Sequence, residues 1–246
     1  MSKIAIIGGS GLTEIPGLEI VDKIELETPW GKPSAPITVG KINNLEILFL
    51  PRHGHPHTIP PHKINYRANL WALNEANVTE IIAVNAVGGI TQAMDPCRIV
   101  IPDQLIDYTH GRPDSFYEEN LTEVTHIDFT NPYSESLRRQ LIDAAAENKL
   151  DIVSTATYAV TQGPRLETAA EVSRLEKDGN DIVGMTSMPE ASLARELEIE
   201  YACCALVVNW AAGKTDEVIT MEIIESNLSE GLGEIQNLIA TVVRSK

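Results

Sequence analysis

Six short segments concentrate residue types that handle anions and flat polar rings. Gly8-Gly9-Ser10-Gly11 lets backbone N–H groups converge on an anion, and Ser10 adds a hydroxyl. It lacks the third Gly of a dinucleotide fingerprint and the Gly-Lys-Ser/Thr of a P-loop, and a plain turn explains it equally well. Arg52-His53-Gly54-His55-Pro56-His57 places one Arg and three His within six residues. Arg offers a planar fork to phosphate. A solvated loop and a metal site are the other readings, although Gly54 and Pro56 interrupt any helix that would align the imidazoles. Asn85-Ala86-Val87-Gly88-Gly89 leaves room for a ligand against bare backbone, or makes a tight turn. Glu167, after Gly163-Pro164-Arg165, is either a carboxylate accepting N–H bonds from a ligand or a helix-start residue held by the dipole. In Gly184-Met185-Thr186, Thr186 adds a hydroxyl to an anion site and Met185 packs on a flat ring or sugar. In Asn209-Trp210-Ala211, Asn209 carries both a donor and an acceptor. There is no Ser-His-Asp order, nucleophile elbow or His-Glu-x-x-His, and Cys97, Cys203 and Cys204 form no Cys-x-x-Cys. The chemistry implied is an anion cradle, a flat-ring pocket and an amide–carboxylate pair, with no covalent step.

Strand-like runs precede most of these segments. Lys3–Ile7, Ile37–Gly40, Leu45–Leu50, Thr79–Asn85 (ending in a Gly88-Gly89 turn), Asp151–Val160, Asp181–Val183 and Tyr201–Val208 read as strands. Asn65–Ala76, Ser134–Asn148, Thr168–Asp178, Pro189–Leu197 and Glu222–Val243 read as helices, the fourth with Pro in its first turn. The alternation predicts a mostly parallel sheet covered on both faces, with ligands at the carboxyl ends of its strands.

The chain has 246 residues and a net charge of −16. That charge argues against nucleic-acid and anionic-membrane partners. No apolar run reaches the length of a membrane span, and the N-terminus runs straight into glycines, unlike a signal peptide. One α/β domain over residues 1–246 and a reducing, cytoplasmic setting are expected.

Taken together, the Gly8–Gly11 loop, Arg52-His53-Gly54, His57-Thr58-Ile59, Asn65-Tyr66-Arg67-Ala68-Asn69, Asn85-Ala86, Gly163-Pro164-Arg165 and Gly184-Met185-Thr186 with Pro189-Glu190 resemble the trimeric purine nucleoside phosphorylase and methylthioadenosine phosphorylase family. The likeness runs from Ile4 to about Ile224. It implies a three-layer α/β/α fold with a mixed, partly barrel-like central sheet, a homotrimer, and phosphorolysis with orthophosphate as co-substrate and neither metal nor organic cofactor. It also implies that Ser10, Arg52, His53, Asn85, Ala86 and Thr186 bind phosphate and that Met185 contacts the ribosyl ring.

One departure bears on the substrate. Methylthioadenosine enzymes carry Asp-aromatic-Asp where this chain has Asn209, Trp210 and Ala211. The 6-oxopurine enzymes carry Asn there and a Glu after Gly-Pro, as Asn209 and Glu167 do here. Glu167 suits the N1–H of hypoxanthine, and Asn209 suits O6 and N7. Adenine would set its bare N1 against Glu167, a buried mismatch costing roughly 1–3 kcal/mol. By the same likeness Met221 and Ile224 cover the 5′-pocket, where their apolar side chains suit a methylthio group, and His126 reaches it. Methylthioinosine is therefore the expected substrate. Inosine or guanosine and then methylthioadenosine are the alternatives, and a Rossmann-type oxidoreductase is a disfavoured one.

Overall fold

A computed structural model describes residues 3–43, 45–119 and 121–246, and the side chain of Ser10 lies outside the described residues. The strands are β1 (Ile4–Gly8), β2 (Glu19–Ile24), β3 (Ile37–Ile42), β4 (Leu45–Pro51), β5 (Glu80–Gly89), β6 (Ile99–Val100), β7 (Gln104–Asp107), β8 (Ile152–Val153), β9 (Thr157–Val160), β10 (Ile182–Gly184) and β11 (Glu200–Trp210). The helices are α1 (Tyr66–Glu75), α2 (Glu135–Glu147), α3 (Ala169–Lys177), α4 (Ser187–Glu196) and α5 (Met221–Arg244).

The strands form one mixed sheet. Its main path is β2-β3-β4-β1-β5-β10-β9-β7, with β11, β6 and β8 branching from β5. Apolar residues on successive positions of β1 face opposite ways, as the strand period demands. Ala5 and Ile7 join a core that includes Leu70 and Leu73 of α1 and Ala191 and Leu193 of α4. Ile4 and Ile6 join a second core with Leu137 and Leu141 of α2 and Ile235, Leu238 and Ile239 of α5. Helices thus cover both faces. Side-chain caps fix where they start: Asn65 accepts from the Ala68 N–H, Ser134 from Leu137, and Thr220 from Ile223.

Several elements differ from expectation. Gly88 and Gly89 do not turn; they continue β5, pairing with Val183 and Ile182 of β10 on one edge and with Asn209 and Trp210 of β11 on the other. A side chain at Gly89 would collide with the Met94 carbonyl, which explains the glycine there. The Asp151–Val160 stretch divides into β8 and β9. Helix α4 starts at Ser187, and Met188 and Pro189 leave helical geometry inside it, because Pro lacks an N–H and restricts the residue before it. Strand β2 has no counterpart in the sequence reading; its residues lie mostly exposed on the sheet edge, so burial leaves no alternation to read.

Candidate functional site

The site lies where β5 changes partner. β11 follows one edge of β5 along its length. On the other edge β1 pairs only from Glu80 to Ala83, and β10 pairs only at Gly88 and Gly89. Val84 to Val87 are left without a strand neighbour there. Ala86 is exposed although its neighbours in β5 are buried, which marks an opening. The carboxyl ends of β1, β4, β10 and β11 bring Gly8, Arg52, Met185-Thr186 and Asn209 to this region.

Asn85 and Thr186 meet directly. The Asn85 amide donates to the Thr186 hydroxyl at 2.7 Å, and the Cys203 thiol donates to Asn85 Oδ1 at 3.3 Å. Because the Thr186 oxygen accepts here, its own proton is left to point elsewhere. Thr186 occupies the N-cap of α4 without capping it through its side chain. Gly9 faces open space at the start of the loop after β1. The Ser10 side chain, expected to bind phosphate, lies outside the described residues.

Arg52 corrects a simple picture. It is 2% exposed, and its fork is filled by Glu190: Nε donates to Oε2 and Nη2 to Oε1, both at 2.7 Å. Nη1 donates to the Val84 carbonyl at 3.0 Å and Nη2 to that of Ile7 at 3.5 Å. Of the five N–H groups of Arg, one on Nη1 has no acceptor among the described residues. Tyr201 donates to the same carboxylate at 2.9 Å. Burial works against the Arg52 charge, and Glu190 outweighs it, so the guanidinium pKa lies above its ordinary value. The planar fork expected to face phosphate therefore faces the protein.

His53, unlike Arg52, is not a cation. Its Nδ1 lies 2.8 Å from the Ile59 carbonyl, which only accepts, so Nδ1 carries the proton and Nε2 is a bare acceptor. Burial pushes its pKa down to about 4, with Arg52 and His57 adding to the effect. The His57 ring stacks on it at 4.3 Å, while His55 and His57 themselves are exposed. The cradle is formally neutral: one guanidinium balanced by one carboxylate, and a neutral imidazole.

The other end of the site gathers around Glu167. The helix-start role belongs elsewhere: Thr168 and Glu171 form the capping box of α3, and Arg165, then the Thr168 N–H, pull Glu171 down to about 2. Glu167 precedes the cap. Its Oε1 accepts from the Thr161 hydroxyl at 2.6 Å. Met185 packs against Gly163, whose φ of 61° and close approach to the thioether both require glycine. In β11 the register slips between Val207 and Asn209, a bulge that re-aims Asn209. Asn209 is 9% exposed and donates to the Trp210 carbonyl at 2.7 Å.

Four expected ligand contacts, Ala211, Met221, Ile224 and His126, do not line the small cavity beside Asn209. Ala211 is buried in an apolar cluster with Ile90, Val172 and Val183. Ile224 packs into the core beneath α5, and Met221, at the first turn of that helix, is 61% exposed. That cavity, of about 60 Å³ beside Asn209 and Trp210, is lined by Val218, Ile219 and Ile223 together with Thr215, Glu217 and Asn227. Helical phase explains this: Ile223 and Ile224 point about 100° apart. His126 is exposed in the irregular segment before α2. Sequence reasoning missed Arg112. Its buried guanidinium donates to the carbonyls of Thr161, Gln162, Met185 and Met188 and to the Tyr66 hydroxyl, tying together the loops that carry Glu167 and Thr186. A lone Arg in an irregular stretch gives no periodic signal, so spacing could not have found it. No group of three or more His, Cys, Asp or Glu among the described residues is arranged to hold a metal ion. No helix among them is long and apolar enough to cross a membrane.

A family model described as Phosphorylase superfamily matches residues 3–244. The chain belongs to this superfamily. A Pseudomonas syringae protein named probable S-methyl-5′-thioinosine phosphorylase is 55% identical over 99% of this phosphorylase and 99% of its own length. The 6-oxopurine nucleoside phosphorylase of Pyrococcus furiosus is 46% identical over 99% of this chain and 92% of its own. Among solved structures, a mutant of the Schistosoma mansoni adenosine/methylthioadenosine phosphorylase, in complex with adenine, superposes with a TM-score of 0.95. It is 31% identical, covering 99% of this chain and 91% of that one. The mixed sheet with helices on both faces is the fold of these phosphorylases.

Proposed function

We propose that this phosphorylase converts S-methyl-5′-thioinosine and orthophosphate to hypoxanthine and 5-methylthioribose 1-phosphate. The observation that carries the substrate is Asn209-Trp210-Ala211, where the resemblance puts Asp-aromatic-Asp in methylthioadenosine enzymes, together with Glu167 after Gly163-Pro164; Glu167 accepts from the Thr161 hydroxyl, and Asn209 donates to the Trp210 carbonyl. Glu167 accepts N1–H. Asn209 turns its amide toward O6 and N7 as charge builds on the leaving base, and Trp210 flanks the ring. The C1′–N9 bond breaks with its electron pair going to the base, which takes up a proton from water, while the phosphate O–H gives one proton back to solvent as the ester forms. A phosphate oxygen then bonds to C1′.

Phosphate is held by the Gly8–Gly11 loop with Ser10, the spare Nη1–H of Arg52, Asn85-Ala86 and the Thr186 hydroxyl. His53 Nε2 accepts from the phosphate's own O–H. The formally neutral cradle leaves the phosphate charge free to stabilise the oxocarbenium-like ribosyl group, which Met185 contacts. Stabilising charge only as it develops is what accelerates the step. No metal or organic cofactor enters this chemistry. The relatives' names support a 5′-methylthio group, and Val218, Ile219 and Ile223 give the small cavity one apolar side beside Thr215, Glu217 and Asn227, with Met221, Ile224 and His126 completing that pocket only after rearrangement or assembly. A homotrimer in the cytoplasm, each subunit one domain over residues 1–246, completes the proposal. The second reading is a 6-oxopurine nucleoside phosphorylase acting on inosine or guanosine, favoured by the Pyrococcus relative. Release of free hypoxanthine from methylthioinosine and from inosine, with and without phosphate, separates the two. Faster turnover of inosine would favour the second.

A further inference from the structure

We infer that Thr161 is a positioning residue that sets the preference for 6-oxopurines through Glu167. The inference rests on the proposed base-reading role of Glu167 and deepens it. Thr161 is the first residue after β9, and its own backbone is fixed on both sides. Its N–H donates to the Gly184 carbonyl at 2.8 Å, and its carbonyl accepts from Arg112 Nη2 at 3.2 Å. From this anchored position its hydroxyl lies 2.6 Å from Glu167 Oε1 and 3.3 Å from the Gly184 carbonyl.

A hydroxyl has one proton, and a charge-assisted bond to a carboxylate is the shorter and stronger choice. The Thr161 proton therefore goes to Oε1. Two consequences follow. Glu167 is held from a residue six positions earlier in the chain, and Oε2 is the oxygen left for the ligand. A carboxylate held by a hydrogen bond at Oε1 keeps Oε2 as an acceptor. That edge matches an N1–H donor and opposes the bare N1 of a 6-aminopurine. Without the hydroxyl the Glu167 side chain regains rotamer freedom, and the loop holds the acceptor less firmly against the base.

The test uses the full chain and three variants: Thr161→Val, which keeps the shape and removes the hydroxyl; Thr161→Ser, which keeps the hydroxyl; and Glu167→Gln. Phosphorolysis of methylthioinosine and methylthioadenosine is measured for each, together with product inhibition by hypoxanthine and by adenine. Losing a hydrogen bond to a charged group predicts a fall of about 10- to 100-fold in kcat/KM for methylthioinosine in Thr161→Val. The rate for methylthioadenosine should change less than about 3-fold, since no N1–H bond is lost. Hypoxanthine inhibition should weaken in step while adenine inhibition does not. Thr161→Ser should restore the ratio of the two substrates, and Glu167→Gln should lower that ratio at least as far as Thr161→Val. A merely structural Thr161 would lower both substrates alike in the Val variant, or leave the ratio uncorrected in the Ser variant, and either result overturns the inference. If Thr161→Val does not fold, Thr161→Ser and Thr161→Ala are compared by the same ratio. A wild-type enzyme that prefers methylthioadenosine would instead overturn the assignment of Glu167 itself, which keeps the two failures distinct.

Discussion

The Arg52–Glu190 pair makes a sharp prediction about both stability and phosphate. Glu190→Gln keeps the shape of the side chain and removes its charge. Both partners are buried, at 3% and 0% side-chain exposure, so solvent cannot replace what is lost. Removing one member of such a pair costs about 3–5 kcal/mol, because the other charge is left uncompensated. One of the two amide positions also becomes a donor facing an Arg52 N–H or the Tyr201 hydroxyl. For a chain of this size about 2–4 °C of Tm accompanies each kcal/mol, so Tm should fall by roughly 6–20 °C. Phosphate then becomes the missing counterion. Its affinity for the variant should rise at least about tenfold, a gain of about 1.4 kcal/mol. The turnover number should fall, because a cation released toward phosphate competes with the ribosyl cation for its charge. Thermal melts across a phosphate titration, calorimetric phosphate binding and kcat at saturating phosphate read all three quantities. A variant with unchanged Tm, or with weaker phosphate binding, would refute the reasoning that Glu190 neutralises the cradle.

Other consequences are open to equally direct measurement. His53 is neutral in the fold down to about pH 4 but protonates near 6.5 when unfolded, so the unfolded chain binds the extra proton between those values. Its contribution to stability is present above pH 6.5 and is lost as pH falls toward 4. His53→Asn should flatten that part of a Tm-versus-pH curve, and an unchanged slope would count against the neutral assignment. Gly163→Ala places a side chain at φ 61° against the Met185 thioether. It should cost about 1–2 kcal/mol in backbone strain and lower kcat/KM by displacing Met185; full activity would mean Met185 does not touch the substrate. Asn209→Asp should move preference toward 6-aminopurines, read as the ratio of adenine to hypoxanthine release. Adding Ala211→Asp should chiefly lower Tm, since that position is buried among Ile90, Val172 and Val183.

The buried strands β1, β4, β5 and β11 are legible in the sequence because their runs of Ile, Leu, Val and Ala have to be covered on both faces. Most helix starts are legible to within a residue or two, since Asn65, Ser134 and Thr168 stand at their N-caps. Strand β2 is not legible, because an exposed edge needs no apolar alternation. Nor is the continuation of β5 through Gly88-Gly89, because glycine pairs suit turns and close approaches alike. Residue types at the site are legible, but not their partners. Arg52 reads as a phosphate fork until Glu190, 138 residues later, fills it. Ala211 lies near Asn209 in sequence, yet the fold turns it into an apolar cluster. Arg112 and Thr161 matter through backbone carbonyls and one carboxylate, contacts that leave no trace in spacing.

Glu167 and Asn209 are held to read a 6-oxopurine carrying a 5′-methylthio group, and one competition assay addresses this most directly. Methylthioinosine, inosine and methylthioadenosine are mixed at equal concentration with saturating phosphate, and the initial rates of hypoxanthine and adenine release and of each sugar phosphate are followed. Methylthioinosine should be consumed fastest and methylthioadenosine slowest, by a factor of about ten or more between them. Faster release of adenine than of hypoxanthine would contradict the account.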